Sequence, residues 1–469
     1  MRLNPSLCTG LPQPRKRISV FRKGYQFMQH LKEKMSRYFR TMDYFLLLIA
    51  LFCSAFGMVL IYSATHSLDG GSTRYMVIQG LAIVLGLIGF VIVSCVDLEK
   101  LAGWWRIVLV VNVLFQLSLI LFGYEDGGNK SWLRFGGIGI QPAELGKLLF
   151  IFTFAKHINL LRYRLNRVRS LLMLGAHLLA IMAAIILPSH DVGMSLPYVF
   201  IAVLMLFSAG LSLKWFAGGA ILACAAVPIL WQVLSSIQKN RILVLFDPTI
   251  APDTYWQQEQ SRIAIGSGKL FGTGFLQGNQ TQNNMLPEKQ TDFIFGVAGE
   301  EWGLVGCMVI VIALMALIFR TFFIAYHAHG QISSLICVGV GSMMLFQTYE
   351  NIFMCLGIGP VMGLTLPFFS YGGSSIATMY LALGMVVSVS RREKTRRLKG
   401  LPAGEHLVSE EAERLGEKRS NETAVPLRQQ LQQLGDRAKD LKSRVKIDWV
   451  PQKKKKDSSG KRDENSGDK

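Results

Sequence analysis

Charge is what this sequence has least of. Only 17% of its 469 residues are Asp, Glu, Lys or Arg, while 51% are hydrophobic. Ordinary globular domains carry about a quarter charged residues. A water-soluble core cannot absorb so much apolar surface, so a soluble domain is excluded and a membrane protein expected. Acid is scarcer than base: 31 Asp and Glu stand against 50 Lys and Arg, for a net charge of +19. The bases do not form one face. They crowd into the first 40 residues, a few short loops and the last 80. That distribution argues against a nucleic-acid partner and fits basic cytoplasmic segments.

Cysteine is too sparse for a framework. The seven are Cys8, Cys53, Cys95, Cys224, Cys307, Cys337 and Cys355, mostly within apolar stretches and with no CxxC pair. An odd, scattered set excludes a disulfide scaffold and a structural zinc site. The basic stretch 1–42 does not read as a secretory signal, because the first apolar run after it is of full spanning length.

What is present is a series of long apolar runs. A crossing helix needs about 20 apolar residues. Ten candidates lie near 43–64, 75–96, 102–123, 142–158, 171–188, 194–212, 215–235, 292–319, 331–354 and 373–390. The expectation is an all-α polytopic membrane domain over 43–392, with ten transmembrane helices and both termini cytoplasmic. Two basic clusters support that count: Arg162, Arg164, Arg167 and Arg169 in one loop, and Arg391, Arg392, Lys394, Arg396 and Arg397 after the last span. Ten spans put both clusters inside, as the positive-inside rule requires. The segments 124–141, 236–291 and 355–372 then fall outside. The second, between helices seven and eight, is about 56 residues long, too long for a passive connector. Long loops on a rigid scaffold carry function.

Two flanks complete the chain: a basic cytoplasmic segment 1–42 and a basic tail 393–469. In the tail Leu427, Leu431, Leu434, Ala438, Leu441 and Val445 recur at heptad spacing. Beyond them Lys453 to Lys456 and a polar end read as disordered and attracted to anionic lipid.

Ionisable residues within spans are costly and face the bundle interior or a wet cavity. Glu144 and Lys147, three apart, share a helix face. They read either as an ion pair locking the helix or as a cation offered to a phosphate, with Lys130 and Arg134 nearby in sequence. Asp292 opens the eighth helix, as a cap or as a general base at the membrane boundary, its pKa raised by partial burial. Glu300 and Glu301 lie two turns further in and read chiefly as capping carboxylates. Glu350 lies toward the outer half of the ninth helix. The stretch Gly266-Ser267-Gly268-Lys269-Leu270-Phe271-Gly272-Thr273-Gly274 lacks the pattern of a phosphate loop and reads as turns folding the loop onto the bundle. His190-Asp191 has no further clear ligands nearby, so a metal is not expected there.

Several runs together resemble the SEDS family, the RodA, FtsW and SpoVE group. They are Trp132-Leu133; Gln141-Pro142-Ala143-Glu144-Leu145-Gly146-Lys147; Asp191-Val192-Gly193; Gln260-Ser261-Arg262-Ile263-Ala264-Ile265-Gly266-Ser267-Gly268; Leu286-Pro287-Glu288; Thr291-Asp292-Phe293-Ile294-Phe295; Glu300-Glu301-Trp302-Gly303-Leu304; and Gly363-Leu364-Thr365-Leu366-Pro367-Phe368-Phe369-Ser370-Tyr371-Gly372-Gly373-Ser374-Ser375. In this order across residues 43–392 the set is specific, and the last run looks nearer the RodA branch. The chain departs at Gln290, where relatives usually have His, at Gly299 and Trp302 around the acidic pair, and at Tyr255-Trp256.

The resemblance implies a ten-helix glycosyltransferase of the bacterial cytoplasmic membrane. Such enzymes polymerise lipid II, an undecaprenyl-pyrophosphate disaccharide-peptide, into glycan strands at the outer face. They serve cell shape and elongation, division or sporulation. The expected partners are a class B penicillin-binding transpeptidase and other membrane proteins of those complexes, with no nucleic acid. Asp292 is the implied catalytic base. Lys147, Glu144, Arg134, Trp132, Gln260, Ser261, Ser370, Tyr371 and Ser374 are the implied substrate-binding residues. The acceptor sugar hydroxyl needs a base, and one carboxylate with direct displacement implies inversion. The leaving diphosphate needs positive charge, expected from Lys147 with Arg134 and Arg241. A divalent cation, Mg or Mn, is the one cofactor this chemistry invites, although no octahedral ligand set stands out.

Two other readings stay open. A lipid II flippase or other transporter has the same polytopic helices and buried charge. Against it, the polar residues cluster at the outer face and the halves show no inverted repeat. An inactive scaffold for a transpeptidase is the third, kept open by Gln290.

Overall fold

The computed structural model describes residues 32, 35, 36, 38–68, 71–126, 129–135 and 138–398. The expected tail, with its heptad segment, and most of the basic segment 1–42 lie outside the described residues.

Every apolar run expected to be a helix is one. In chain order they are α1 Tyr44–His66, α2 Gly71–Cys95, α3 Leu98–Phe122 (three nearly continuous pieces), α4 Pro142–Leu161, α5 Val168–Ser189, α6 Leu196–Ser208 and α7 Leu213–Val233. After the long connection come α10 Ile294–Tyr326, α11 Gln331–Cys355 and α12 Gly373–Leu398. Among the described residues, seven of these (α1, α2, α3, α5, α10, α11 and α12) are long and apolar enough to cross a membrane. α6 and α7 are shorter apolar helices, and α4 carries Glu144, Lys147 and Lys156.

The packing sorts the helices by what their faces meet. α11 and α12 are the most enclosed: Met343, Met344, Tyr380, Leu383 and Val386 are fully buried. α12 runs along α2, and α11 packs on α10, α6 and α4. Close approach is permitted by missing side chains. A Cβ on Gly57 would stand 2.8 Å from the Phe369 Cα, and one on Gly384 would stand 2.9 Å from the Phe90 carbonyl. By contrast α2 and α3 leave Leu81, Leu85, Ile107 and Leu114 exposed, as lipid-facing helices must, because their backbone groups are already satisfied internally.

The end of the bundle where α1 begins and α10 stops is fastened by charge. Asp43 takes Arg320 at 2.7 Å. Arg392 bridges Asp97 at 3.0 Å and Glu99 at 2.6 Å. The Arg391 Nη1 donates to the Ser94 carbonyl at 2.6 Å. These bonds hold the last turns of α12, which continues past the expected end at 390.

Three expectations change. The segment 124–141, read as a loop in an all-α protein, carries a three-stranded antiparallel sheet, β1 Gly123–Asp126, β2 Asn129–Phe135 and β3 Ile138–Ile140. Its Trp132, Phe135 and Ile138 are residue types enriched in strands. The long segment 236–291 carries two helices, α8 Ser236–Leu243 and α9 Pro252–Ser267. The eighth expected helix starts at Ile294 and breaks at Gly303, whose φ of 66° and ψ of −161° lie outside the helical range. The break re-pairs its backbone with the glycine-rich turn. Thr273 and Gly274 N–H donate to the Glu300 and Glu301 carbonyls at 2.9 and 3.2 Å. Leu304 and Val305 N–H donate to the Lys269 and Leu270 carbonyls at 2.9 and 3.1 Å. A Cβ at Gly303 would meet the Leu270 carbonyl carbon at 2.7 Å. The glycines are there for that docking, as the sequence reading held.

Candidate functional site

The site is assembled at the end of the bundle where α10 begins. Glu300 and Glu301 first anchor the long connection. Glu300 accepts from the Gln280 N–H at 2.7 Å, the Thr281 N–H at 2.9 Å and the Thr281 hydroxyl at 2.6 Å. Glu301 accepts from Ser63 at 2.5 Å and Gln282 at 3.1 Å. Both acids act as structural caps. Lys289 closes the same corner, donating to Ser67 at 2.8 Å, to Asn284 at 2.6 Å and to the Thr281 carbonyl. Burial lowers the Lys289 pKa to about 8, against Glu300 and Glu301, which raise it.

That anchored corner presents Asp292 in the turn before α10. The Asp292 N–H donates to the Glu288 carbonyl at 3.0 Å. Asn351 Nδ2, in the last turns of α11, donates to the Asp292 carbonyl at 2.8 Å and to the Leu364 carbonyl at 2.8 Å. The Tyr371 N–H donates to the Gln290 carbonyl at 2.8 Å. The turn at 290–293, the end of α11 around Asn351 and the run 363–371 are thereby tied at one place. The Asp292 carboxylate itself accepts no hydrogen bond among the described residues and is half-buried. Gly363, with φ of 71°, leaves room beside it: a Cβ there would stand 3.6 Å from Asp292 Oδ2. Burial first, then the Glu288 charge, raise the Asp292 pKa to about 7, while Arg241 on α8 opposes the shift.

A second acid borders the same space. The Asp191 N–H donates to Ser189 Oγ at 3.2 Å, and Asp191 Oδ1 accepts from the Met194 N–H at 3.3 Å. Burial raises this carboxyl, opposed by the Met194 N–H and by Arg241. A Cβ on Gly193 would stand 3.1 Å from Asp191 Oδ1 and 3.6 Å from the Met362 carbonyl. So the Asp191 turn and the Asp292 turn both abut Met362-Gly363, and Arg241 answers both acids.

The other expected residues divide by place. Lys147 Nζ is bonded to Glu144 Oε1 at 2.6 Å, and both side chains are buried in the bundle. Gln347 Nε2 reaches the same oxygen at 3.5 Å. The chain thus adopts the ion-pair alternative in this state. Ser374 Oγ accepts from the Gln141 N–H at 3.2 Å, joining the start of α4 to α12. Ser370 Oγ accepts from the Leu366 N–H at 2.8 Å, and its carbonyl accepts from Gln79 at 3.1 Å. The Tyr371 ring meets Tyr75 edge-on at 5.0 Å. Ser261 is buried on α9 facing α10, where a Cβ on Gly296 would stand 3.0 Å from its hydroxyl. Gln260 beside it is half-buried. Trp132 and Arg134 belong to β2: the Trp132 ring covers Gly139, and the Arg134 guanidinium lies 3.7 Å from the centre of the Tyr124 ring.

The departures from the family pattern have local reasons. The Gln290 side chain donates to Glu288 at 3.3 Å. Trp302 meets Phe56 edge-on at 5.3 Å at the break in α10. The sequence reading missed Asn351; an amide in the last turns of an apolar span was its one signal. Among the described residues no group of three or more His, Cys, Asp or Glu side chains is placed to hold a metal ion.

Comparison with known proteins agrees with this architecture. The family FTSW_RODA_SPOVE, described as cell cycle protein, matches residues 43–395. A probable peptidoglycan glycosyltransferase FtsW of Geobacter metallireducens is 32% identical over 383 residues, 78% of this chain and 98% of the relative. The peptidoglycan glycosyltransferase MrdB of Escherichia coli is 32% identical over 357 residues, 75% of this chain and 94% of the relative. The rod shape determining protein RodA of Thermus thermophilus superposes with a TM-score of 0.56 at 26% identity, covering 75% of this chain and 97% of that one. A chain from a peptidoglycan synthase complex, described as coordinating polymerization and crosslinking, superposes with a TM-score of 0.64 at 26% identity, covering 75% and 98%.

Proposed function

From the premise that this chain belongs to the FTSW_RODA_SPOVE family of cell cycle proteins, we infer that it is a membrane-embedded peptidoglycan glycosyltransferase. Its substrate in this reading is lipid II, a disaccharide-peptide carried on a membrane-bound prenyl diphosphate. Ten crossing helices place both termini in the cytoplasm and the Asp292 corner at the outer face of the cytoplasmic membrane. The basic loop after α4 and the basic end of α12 support that orientation.

The observation that carries the mechanism is the Asp292 carboxylate: it accepts no hydrogen bond among the described residues and is held at a pKa of about 7. A base matched to working pH is what removal of a proton from a sugar hydroxyl needs. Asp292 takes the acceptor hydroxyl proton as the new glycosidic bond forms. The anomeric bond to the diphosphate breaks, and its electron pair leaves on the phosphate oxygen. A single displacement inverts the anomeric carbon. Arg241, beside both acids, is the cation assigned to the developing diphosphate charge. Lys147 joins it only if Glu144 releases it. No step is assigned to a metal ion.

The relative whose structure couples polymerization to crosslinking supports a transpeptidase partner for this chain too. The deciding experiment is glycan formation from lipid II by the purified chain and by Asp292→Asn. Loss of polymer with intact folding is expected. Polymer at the unaltered rate from Asp292→Asn overturns the base assignment.

A further inference from the structure

Leu270 and Phe271 are apolar, yet they stand out from the bundle: Leu270 is 58% and Phe271 81% exposed. They belong to the glycine-rich turn 268–274, which the proposed reaction leaves without a task. Beside them on α10, Trp302, Leu304 and Val305 are exposed as well, and Phe275 extends the patch to α1, where it stacks on Tyr62 at 6.3 Å. The depth of this patch follows from two contacts between α1 and α10, which run antiparallel. At one end Asp43 meets Arg320 at 2.7 Å. At the other Ser63 donates to Glu301 at 2.5 Å. Ser63 lies 20 residues after Asp43, and Glu301 lies 19 before Arg320. At helical rise the two contacts are about 30 Å apart, the thickness of a hydrocarbon core. With the Asp43–Arg320 pair at one boundary, Glu301 marks the other, and Leu304 and Val305 fall just inside it. The turn is bonded to those two residues: the Leu304 N–H donates to the Lys269 carbonyl at 2.9 Å and the Val305 N–H to the Leu270 carbonyl at 3.1 Å.

We propose that the turn Lys269-Leu270-Phe271 is a membrane anchor for the long connection: Leu270 and Phe271 enter the hydrocarbon of the leaflet on the Asp292 side, and the partner of this surface is phospholipid. Continuity argues for lipid. The exposed side chains of the turn extend the exposed face of α10, a helix long and apolar enough to cross a membrane. Irregular backbone is tolerated at membrane depth only where its polar groups are paired. The break in α10 supplies that pairing. Beyond the two bonds to Leu304 and Val305, the Thr273 and Gly274 N–H donate to the Glu300 and Glu301 carbonyls, and the Gly272 N–H donates to the Gly268 carbonyl at 2.7 Å. The flanking residues suit a boundary. Lys269 is exposed, and its alkyl stem lets the ammonium reach the level of the lipid phosphates. Trp302 is of the type that gathers at membrane interfaces. The inference needs a membrane around α10 and does not depend on Asp292 being the base.

The test puts a fluorophore on the turn of the full chain, held in phosphatidylcholine–phosphatidylglycerol nanodiscs so that both faces meet solvent. Phe271→Cys is labelled with a nitrobenzoxadiazole group after Cys8, Cys95 and Cys224 are replaced by Ser; the other four cysteines are buried. Leu85→Cys on the exposed face of α2 is the lipid reference. Asn283→Cys, exposed beside the Ser67–Asn284 contact at the end of α1, is the water reference. Quenching by phospholipid with a nitroxide on its acyl chain is compared with quenching by iodide. The label at 271 is expected to lose emission to the lipid quencher and resist iodide, with a ratio of the two near that of Leu85→Cys. A ratio nearer that of Asn283→Cys places the turn in water and overturns the proposal. Resistance to both quenchers places the turn under protein, a second copy of this chain, and overturns it as well. Should Phe271→Cys fail to fold, Phe271→Trp is read with the same quenchers, as the difference from the unaltered chain and by the same criteria.

Discussion

The Nδ2 of Asn351 donates to the carbonyl of Asp292 at 2.8 Å and to that of Leu364 at 2.8 Å. One amide thus fixes the backbone of the proposed base and the backbone of the loop opposite it. The acid stays free of hydrogen bonds among the described residues, while its main chain is held between two elements. Asn351→Leu leaves two carbonyls without this donor, at about 1–3 kcal/mol each. A lower melting temperature and a polymerisation rate reduced by about tenfold or more are expected, read by thermal unfolding and by glycan yield. A variant that loses stability but polymerises normally would refute the positioning role.

Asp292 makes the rate pH-dependent with a defined sign. Its pKa is raised to about 7, so the base form accumulates as pH rises through that value. Polymer formation should climb through about pH 7 and fall below it. A rate that is flat from about pH 6 to 8 contradicts the assignment.

The same shift acts on stability in the opposite sense. The unfolded acid titrates near its ordinary value, the folded one near 7. Between those values the folded chain binds more protons, so stability is lost as pH rises through the window. Asp292→Asn removes that penalty. Its melting temperature should equal or exceed that of wild type at about pH 8, with the difference shrinking toward about pH 4. A variant less stable than wild type at the higher pH would show that Asp292 is a structural cap.

Lys147 and Glu144 form a buried pair at 2.6 Å. Lys147→Ala leaves a lone carboxylate inside the bundle, and removing one partner of such a pair costs about 3–5 kcal/mol. Replacing both, as Glu144→Gln with Lys147→Met, should restore most of that loss. Comparison of expression and melting temperature for the single and double variants measures it. If Lys147→Ala folds as well as wild type, the pair is not structural.

Gly303 supplies the break in α10 on which the turn 268–274 docks. Gly303→Ala forces a side chain into φ of 66° and against Leu270. A loss of about 2 kcal/mol or more is expected, together with faster proteolysis within 268–278. An unaltered digestion pattern would show that the docking does not depend on this residue.

Much of the fold was written in one dimension. Apolar runs of spanning length have nowhere to go but a membrane, and each of those expected is helical. The acids at 144, 292, 300, 301 and 350 stood out because charge inside such runs is costly wherever it falls. The turns at 268–274 were legible because Gly272 and Gly274 take φ of 83° and 108°, angles that glycine adopts without steric cost.

What the sequence could not decide was partnership. Whether Lys147 meets Glu144 or faces open space depends on side-chain direction. The sheet at 123–140 and the helices within 236–291 depend on neighbours, since their local patterns are short and polar. That Asn351, Gly363 and Arg241 surround Asp292 depends on residues 51 to 71 positions from it along the chain. Hydropathy and spacing act locally along the chain, whereas the proton affinity of a carboxylate is set by burial and by charges that only folding brings beside it.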